Sequence, residues 1–262
     1  MKIKTHWFRH TPNFGDQLTP LLLNHFGYEA EWAEISDAEL LCIGSYLEHV
    51  PEDYSGVILG TGCISYRTEK RFPRAEILAV RGPLTERALG LSDTVWGDPG
   101  LLAESLVCQR GEKAYVIGFL PHYADKDNAA IRAIVDANPD DCCIIDVQHD
   151  PINVLYAINA CECVLSSSLH GLIAAESLGI PSRWIYAPGL QGGRFKFDDY
   201  FESADYSEDT PVVLYGEETV DELHSLAELA LFNSQRHNIK KELRSQFERI
   251  GDLIEERRGG GL

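Results

Sequence analysis

Several common signatures are missing from this sequence, and each absence removes a class of function. No Cys-x-x-Cys pair occurs among the seven cysteines, so a thiolate zinc site is not expected. No Gly-x-Gly-x-x-Gly and no Walker loop occurs, which removes the two familiar glycine-loop phosphate fingerprints. Serines 166–168 lack the flanking glycines of a nucleophile elbow. No stretch approaches the roughly 18 apolar residues of a membrane span. The first residues, Met1-Lys2-Ile3-Lys4-Thr5-His6, lack the apolar centre of a signal peptide. Basic residues are scarce: 23 Lys+Arg stand against 41 Asp+Glu, a formal charge of −18. Such a surface argues against general nucleic-acid binding and against electrostatic adhesion to an anionic bilayer. It leaves room for a local basic pocket that takes a small anion. The odd set of cysteines falls mostly in apolar runs such as Leu40-Leu41-Cys42-Ile43. Thiols placed so read as buried and reduced, and the expected location is the cytoplasm.

The 262 residues, 44% hydrophobic and 24% charged, suit a well-packed globular chain. Short apolar runs alternate with helical patterns. Strands are expected at 3–8, 40–44, 56–59, 77–80, 94–96, 115–120, 142–147, 163–166 and 183–186. Helices are expected at 16–26, 83–89, 99–107, 126–137, 151–160 and 170–178. Runs such as Gly56-Val57-Ile58-Leu59 are apolar on consecutive residues, as in strands covered on both faces. The alternation predicts an α/β fold with parallel sheets and crossover helices.

The polar segment Cys108-Gln109-Arg110-Gly111-Glu112-Lys113 reads as a linker. Two units are therefore expected, 1–110 and 111–218, against the alternative of one continuous sheet. Residues 219–262 would be a long helix over about 219–258, with a fraying Gly259-Gly260-Gly261 end. Ile239, Leu243, Phe247, Ile250 and Ile254 give that helix an apolar stripe for packing on the body. Residues 198–228 carry eleven acids and no Lys or Arg; they read as a solvated face and receive no chemistry.

Four segments share one construction: a strand, a tight polar or glycine turn, then a helix start. They are Asn13-Phe14-Gly15-Asp16, Arg81-Gly82-Pro83, Gly97-Asp98-Pro99-Gly100 and Ser166-Ser167-Ser168-Leu169-His170-Gly171. In open parallel sheets ligands bind beyond the carboxyl ends of the strands. These turns occupy such positions, and helix amino ends favour anions. Arg81 offers a fork for a carboxylate or phosphate. His170 is the best candidate for proton transfer near neutral pH, and His122 is a further candidate at the cleft. Each piece alone has a plain reading as a capped turn, a helix-end ion pair or a structural histidine.

In order, the segments Asn13-x-Gly15-Asp16, Gly60-Thr61-Gly62, Arg81-Gly82-Pro83-Leu84-Thr85, Gly97-Asp98-Pro99-Gly100 and Ser167-Ser168-Leu169-His170-Gly171 form a series. This series resembles the polysaccharide pyruvyl transferase family over most of residues 7–200. The resemblance implies two Rossmann-like, glycosyltransferase-B-like halves with the active site between them. It implies phosphoenolpyruvate as donor substrate and a saccharide hydroxyl pair as acceptor; no metal or other cofactor is expected, because cationic side chains can stabilise the charge. The acceptor would be a cell-surface polysaccharide or its lipid-linked precursor; the latter would bring the chain to the inner face of the membrane. By the same carry-over His170 is the general acid or proton shuttle; the reaction needs a second acid or base, and Asp16 or Asp98 could serve there or orient the saccharide hydroxyls. Arg81 would hold the donor's anionic groups, and Asn13, Gly15, Gly62, Ser167, Ser168 and Leu169 would line the pocket.

One position departs from the family. Many members have an arginine two residues before the histidine, and here it is Ser168. A second cation must then come from Arg9, Arg183, Arg194 or Lys196. Arg194 and Lys196 follow Gly192-Gly193 in what reads as a mobile loop. Two rival readings remain: a nucleotide-sugar glycosyltransferase with Glu176 on the ribose, and a non-catalytic relative, which Ser168 keeps open. The cluster Arg67, Lys70, Arg71 and Arg74 reads as a solvated loop or as a face toward an acceptor's phosphates.

Overall fold

The computed structural model describes residues 1–107, 111–189, 192–203, 210–228 and 234–259. Cys108–Arg110 of the expected linker and the glycines at 260–261 lie outside the described residues. Two parallel sheets form the scaffold. The first contains β1 (Lys2–His6), β2 (Glu29–Trp32), β3 (Leu40–Leu41), β4 (Val57–Leu59), β5 (Glu76–Val80) and β6 (Val95–Trp96), in the spatial order β2-β1-β3-β4-β5-β6. The second contains β7 (Tyr115–Leu120), β8 (Cys142–Ile144), β9 (Cys161–Ser166) and β10 (Ser182–Trp184), ordered β10-β9-β7-β8. Every strand pair is parallel.

The helices follow from local chemistry. In α1 (Phe14–His25), the Asn13 side chain caps the start by accepting from the Gly15 amide. Pro83 opens α2 (Pro83–Leu89), and Gly90 ends it in the left-handed conformation. Asn128 caps α3 (Ala129–Ala137) and Asp150 caps α4 (Pro151–Asn159). Gly179 closes α5 (Leu169–Leu178) as Gly90 closes α2. Helix α5 is apolar nearly all round, and only Glu176 among its residues is not buried. A helix of that kind belongs between layers, and α5 packs against α1, α4 and the 3-10 segment Pro99–Leu106. One apolar cluster therefore runs from Ile3 and Leu18 through Leu101 and Ile173 to Phe247. The Phe14 amide adds a direct tie between the sheet units, donating to the Val147 carbonyl at 2.8 Å.

Two expectations need correction. Strand β2 was not expected, because Glu29-Ala30-Glu31-Trp32 is an edge strand with its glutamates exposed and reads as polar. The loop expected around Arg194 and Lys196 becomes a helix, α6 (Phe195–Glu202). Gly192 and Gly193 turn the chain with φ of 77° and 56°; the helix then buries Phe195, Phe197, Tyr200 and Phe201, with Phe197 stacked on Trp184. Of the helix expected over 219–258, the structure describes α7 (Val220–Glu228) and α8 (Ser234–Gly259); positions 229–233 lie outside the described residues. Their apolar stripes need different supports. Leu223 and Ala227 pack on the second sheet. Leu243, Phe247, Ile250 and Ile254 join the main core, and Phe247 stacks on Phe26 at 4.7 Å.

The six described cysteines are free thiols, all buried except the half-buried Cys143. No helix among the described residues is long and apolar enough to cross a membrane.

Truncating Phe247 tests how firmly α8 is held. Phe247→Ala removes a fully buried ring and should cost about 3–5 kcal/mol in chemical denaturation. A loss below about 1 kcal/mol would show that α8 contributes little to the fold.

Candidate functional site

The loops that leave the carboxyl ends of the strands converge on one cavity of about 190 Å³. Phe8 enters after β1, Ser45, Tyr46 and His49 after β3, and Ile64 after β4. Asn13 and Asp16 come from the start of α1. His122 and Tyr123 follow β7, Ser168, Leu169 and His170 begin α5, and Lys196 comes from α6. Residues distant in sequence thus meet where parallel-sheet geometry puts a ligand.

His170 stands against Asp98. Its Nε2 lies 3.7 Å from Asp98 Oδ2, and both atoms are buried with no hydrogen-bond partner among the described residues. Asp98 is held from the other side, where Oδ1 accepts from the Gly100 amide at 2.8 Å. Gly15 makes room for the ring: a side chain there would overlap the imidazole. The serine run shapes the approach. Ser166 Oγ donates to the Leu120 carbonyl at 2.8 Å and accepts from the Ser168 amide at 3.0 Å. Ser167 Oγ accepts from the His122 amide at 2.9 Å and donates to Asp125 at 3.2 Å. Ser167 is therefore a strut between the ends of β7 and β9 and does not line the cavity. Ser168 and Leu169 do.

Loss of water sets the charges in the cavity. Burial pushes the Asp16 carboxyl up to about 6, with His170 and Lys196 opposing. Burial, then the nearby Arg81 charge, brings Lys196 down to about 8, with Asp16 opposing. Burial, then Lys196 and His170, lowers His122 to about 4. Between about pH 6 and 8 the cavity holds an aspartate anion, a lysine cation and a neutral His122. His122 Nδ1 accepts from the Ala124 amide, so the ring proton of the neutral form sits on Nε2.

Arg81 does not line the cavity. It is fully buried, and its guanidinium donates to Asp199 Oδ2 at 2.9 Å, to the Cys63 carbonyl at 2.6 Å and to Ser45 Oγ. Asp199 also accepts from the Thr85 amide and hydroxyl, at 2.8 and 2.7 Å. This corrects two expectations: Arg81 is committed within the protein, and Asp199 of the acidic stretch is fully buried. Gly62 lies beneath the guanidinium, where a side chain would overlap it; it does not line the cavity. Arg194 is exposed and pairs with Asp198 at 3.0 Å. Glu176 accepts from Arg236 at 2.7 Å and from the Tyr200 hydroxyl at 2.5 Å, so it is not presented to a ribose. Lys70 donates to the Val50 carbonyl and Arg71 to those of Lys70 and Ala88, which makes these two cations of the basic cluster loop anchors.

The sequence reading missed Phe8, Ser45, Tyr46, His49, Ile64 and Tyr123. A signal existed for one group. Leu41-Cys42-Ile43-Gly44-Ser45 repeats the strand-then-glycine construction of the other segments, and Gly44 has φ of 137°. Nothing local pairs Asp199 with Arg81.

A family model described as polysaccharide pyruvyl transferase matches residues 61–187. That span includes Arg81, Asp98, His122 and His170 but neither Asp16 nor Lys196. An uncharacterized protein of Acanthamoeba polyphaga mimivirus is 33% identical over 223 residues, 76% of this chain and 73% of that protein. The succinoglycan biosynthesis protein ExoV of Rhizobium meliloti is 27% identical over 185 residues, 67% of this chain and 57% of that protein. Among solved structures, a variant of the wall teichoic acid polymerase TagF superposes with a TM-score of 0.53 at 11% identity, over 98% of this chain and 89% of that one. A likeness at this identity concerns the fold alone, and the fold is glycosyltransferase-B-like.

Two consequences can be measured. Arg81→Ala leaves Asp199 buried without its counter-charge and should cost about 3–5 kcal/mol in denaturant unfolding; an unchanged midpoint would contradict the pairing. Asp16 binds its proton more tightly folded than unfolded. Its contribution is fully present below about pH 4 and is lost as pH rises through about 6. Between pH 4 and 7, Asp16→Asn should therefore gain stability relative to the parent by on the order of 2 kcal/mol. Parallel pH profiles for the two proteins would refute the shift.

Proposed function

The chain belongs to the polysaccharide pyruvyl transferase family, and from that premise we propose that it takes pyruvate from phosphoenolpyruvate and closes a ketal on two hydroxyls of a saccharide. One hydroxyl adds to the enol carbon while the methylene carbon gains a proton. Phosphate then leaves, and the second hydroxyl closes the ring. The two hydroxyl protons end on the new methyl group and on the released phosphate, so no oxidant or reductant is needed.

The observation that supports this reading best is the buried His170–Asp98 pair beside the cavity, at 3.7 Å and with no hydrogen-bond partner for the facing atoms among the described residues. An imidazole facing a carboxylate at the edge of a cavity is placed to pass a proton to a substrate atom. His170 then protonates the methylene carbon. Asp16, with a pKa brought near 6 by burial, is suited to accept a proton from a saccharide hydroxyl at neutral pH. The absence of a side chain at Gly15 leaves room for the imidazole ring beside the cavity. The amino ends of α1 and α5 both supply residues to the cavity, and their partial positive charge suits an anionic donor.

The test is phosphate release from phosphoenolpyruvate in the presence of galactosyl, glucosyl and mannosyl acceptors, with the ketal identified in the product. His170→Ala should lower transfer at least about 100-fold, as removal of a general acid does, while far-UV circular dichroism stays unchanged. Near-full transfer by the folded variant would remove His170 from the mechanism. Nucleotide release from a sugar nucleotide, without pyruvyl transfer, would overturn the reaction itself.

A further inference from the structure

The carboxylates, histidines and helix amino ends of the cavity serve an anion and its protons, which leaves two aromatic rings in its lining without a task. Phe8 and Tyr123 both line it. Phe8 follows β1 and Tyr123 follows β7, so each sheet unit brings one ring. A lone exposed phenylalanine carries little meaning. Here, however, the chain is pinned on both sides of Phe8. Before it, His6 Nδ1 donates to the Ala33 carbonyl at 2.9 Å, and the Trp7 carbonyl accepts from Trp32 Nε1 at 3.0 Å. After it, the Arg9 guanidinium lies over the Trp32 ring, 3.4 Å from the centroid. Trp32, on the edge strand β2, therefore holds both neighbours of Phe8. Phe8 itself stays 41% exposed, with the His10 ring edge-on at 5.5 Å. The backbone is thus committed to a position that leaves an apolar ring at the cavity.

We infer that Phe8 is the platform on which a pyranose ring of the saccharide lies, with Tyr123 as a second apolar surface; this rests on the reaction proposed above. The chemistry of the two substrates decides which of them meets the rings. The face of an aromatic ring is the negative side of its quadrupole. It repels the phosphate and carboxylate of phosphoenolpyruvate. It attracts the slightly positive C–H bonds on the face of a pyranose, and stacking takes apolar area of both partners out of water. The anionic donor is left to the helix amino ends, and the neutral saccharide takes the aromatic surface. A phenyl ring has no hydrogen-bonding group, so Phe8 selects a sugar by the shape of its C–H face and not by its hydroxyls. The Tyr123 ring packs against His122 at 4.1 Å, which ties the second surface to a residue of the same cavity. Arg9 and Trp32 do not line the cavity. They act through Phe8, as positioning residues that hold the platform in place before the saccharide arrives.

Two measurements on the full chain test the platform. The first is steady-state transfer with phosphoenolpyruvate and the methyl glycosides of galactose, glucose and mannose, each substrate varied in turn. Phe8→Ala should raise the acceptor KM about ten-fold, the size of one lost aromatic stack, and leave the KM for phosphoenolpyruvate within about two-fold. Phe8→Trp, which keeps a ring face, should stay within about three-fold of the parent. Arg9→Ala should raise the acceptor KM with kcat unchanged, and Arg9→Lys, which keeps a cation for the Trp32 ring, should restore most of it. Phe8→Ala should melt with the parent, because the ring it removes is exposed. The second measurement needs no turnover: saturation-transfer NMR from the protein's aromatic protons to each glycoside, in the parent and in Phe8→Ala. An unchanged acceptor KM in Phe8→Ala would overturn the platform. So would an equal rise in the KM for phosphoenolpyruvate, or no saturation of any glycoside by the parent. The outcome is separable from the reaction itself. If a glycoside receives saturation through Phe8 but none supports phosphate release from phosphoenolpyruvate, the platform stands and the reaction fails. If transfer proceeds and Phe8→Ala keeps the acceptor KM, the reaction stands and the platform fails.

Discussion

The buried ion pair between Arg81 and Asp199 is the joint on which the site depends. Arg81 leaves the end of β5 in the first sheet, and Asp199 sits on α6, beyond the last strand of the second. A charge pair fully removed from water is weak evidence for net stability, because desolvation offsets most of the attraction. Its value here is geometric. The guanidinium also bonds the Cys63 carbonyl and Ser45, and the carboxylate also accepts from Thr85. With that many partners, α6 has one place to sit, and Lys196 is carried to the cavity as a result.

The second constraint is steric. The absence of a side chain at Gly15 admits the His170 ring, and Asp98 waits on its other side. The three residues come from α1, from the start of α5 and from the turn after β6. None can shift without disturbing the apolar cluster shared by α1, α5 and the 3-10 segment behind Asp98. Close packing of that kind is what lets a protein hold an acid–base pair slightly apart, ready to close on a proton.

Charge on the whole chain and charge in the cavity run in opposite directions. The formal charge of −18 repels a phosphorylated metabolite at long range. Near the site, helix amino ends and Lys196 place positive groups within reach of an anion, while the charge of Arg81 is matched by Asp199. Burial spreads the titrations of Asp16, Lys196 and His122 over about four pH units. Acid and base forms can therefore coexist at neutral pH within one small space.

Much of this was written locally. Consecutive apolar residues such as Val57-Ile58-Leu59 and Cys163-Val164-Leu165 announce covered parallel strands, and Asn13, Pro83, Asp98 and the Ser166–His170 run mark helix starts at their carboxyl ends. These features act over a few residues, so the sequence by itself determined the α/β scaffold and that Asp16, Asp98 and His170 stand at strand ends. It did not determine what Arg81 and Lys196 do. An arginine at a strand end reads the same whether it meets a substrate or a carboxylate 118 positions away. A Gly-Gly followed by Arg-Phe-Lys-Phe reads as a loop until Trp184 and the core supply surfaces for its aromatic rings. Only the tertiary structure decided which charges were neutralised inside the protein and which was left facing the cavity, because partner choice between buried charges depends on distances through space, and those are set by the packing of both sheets at once.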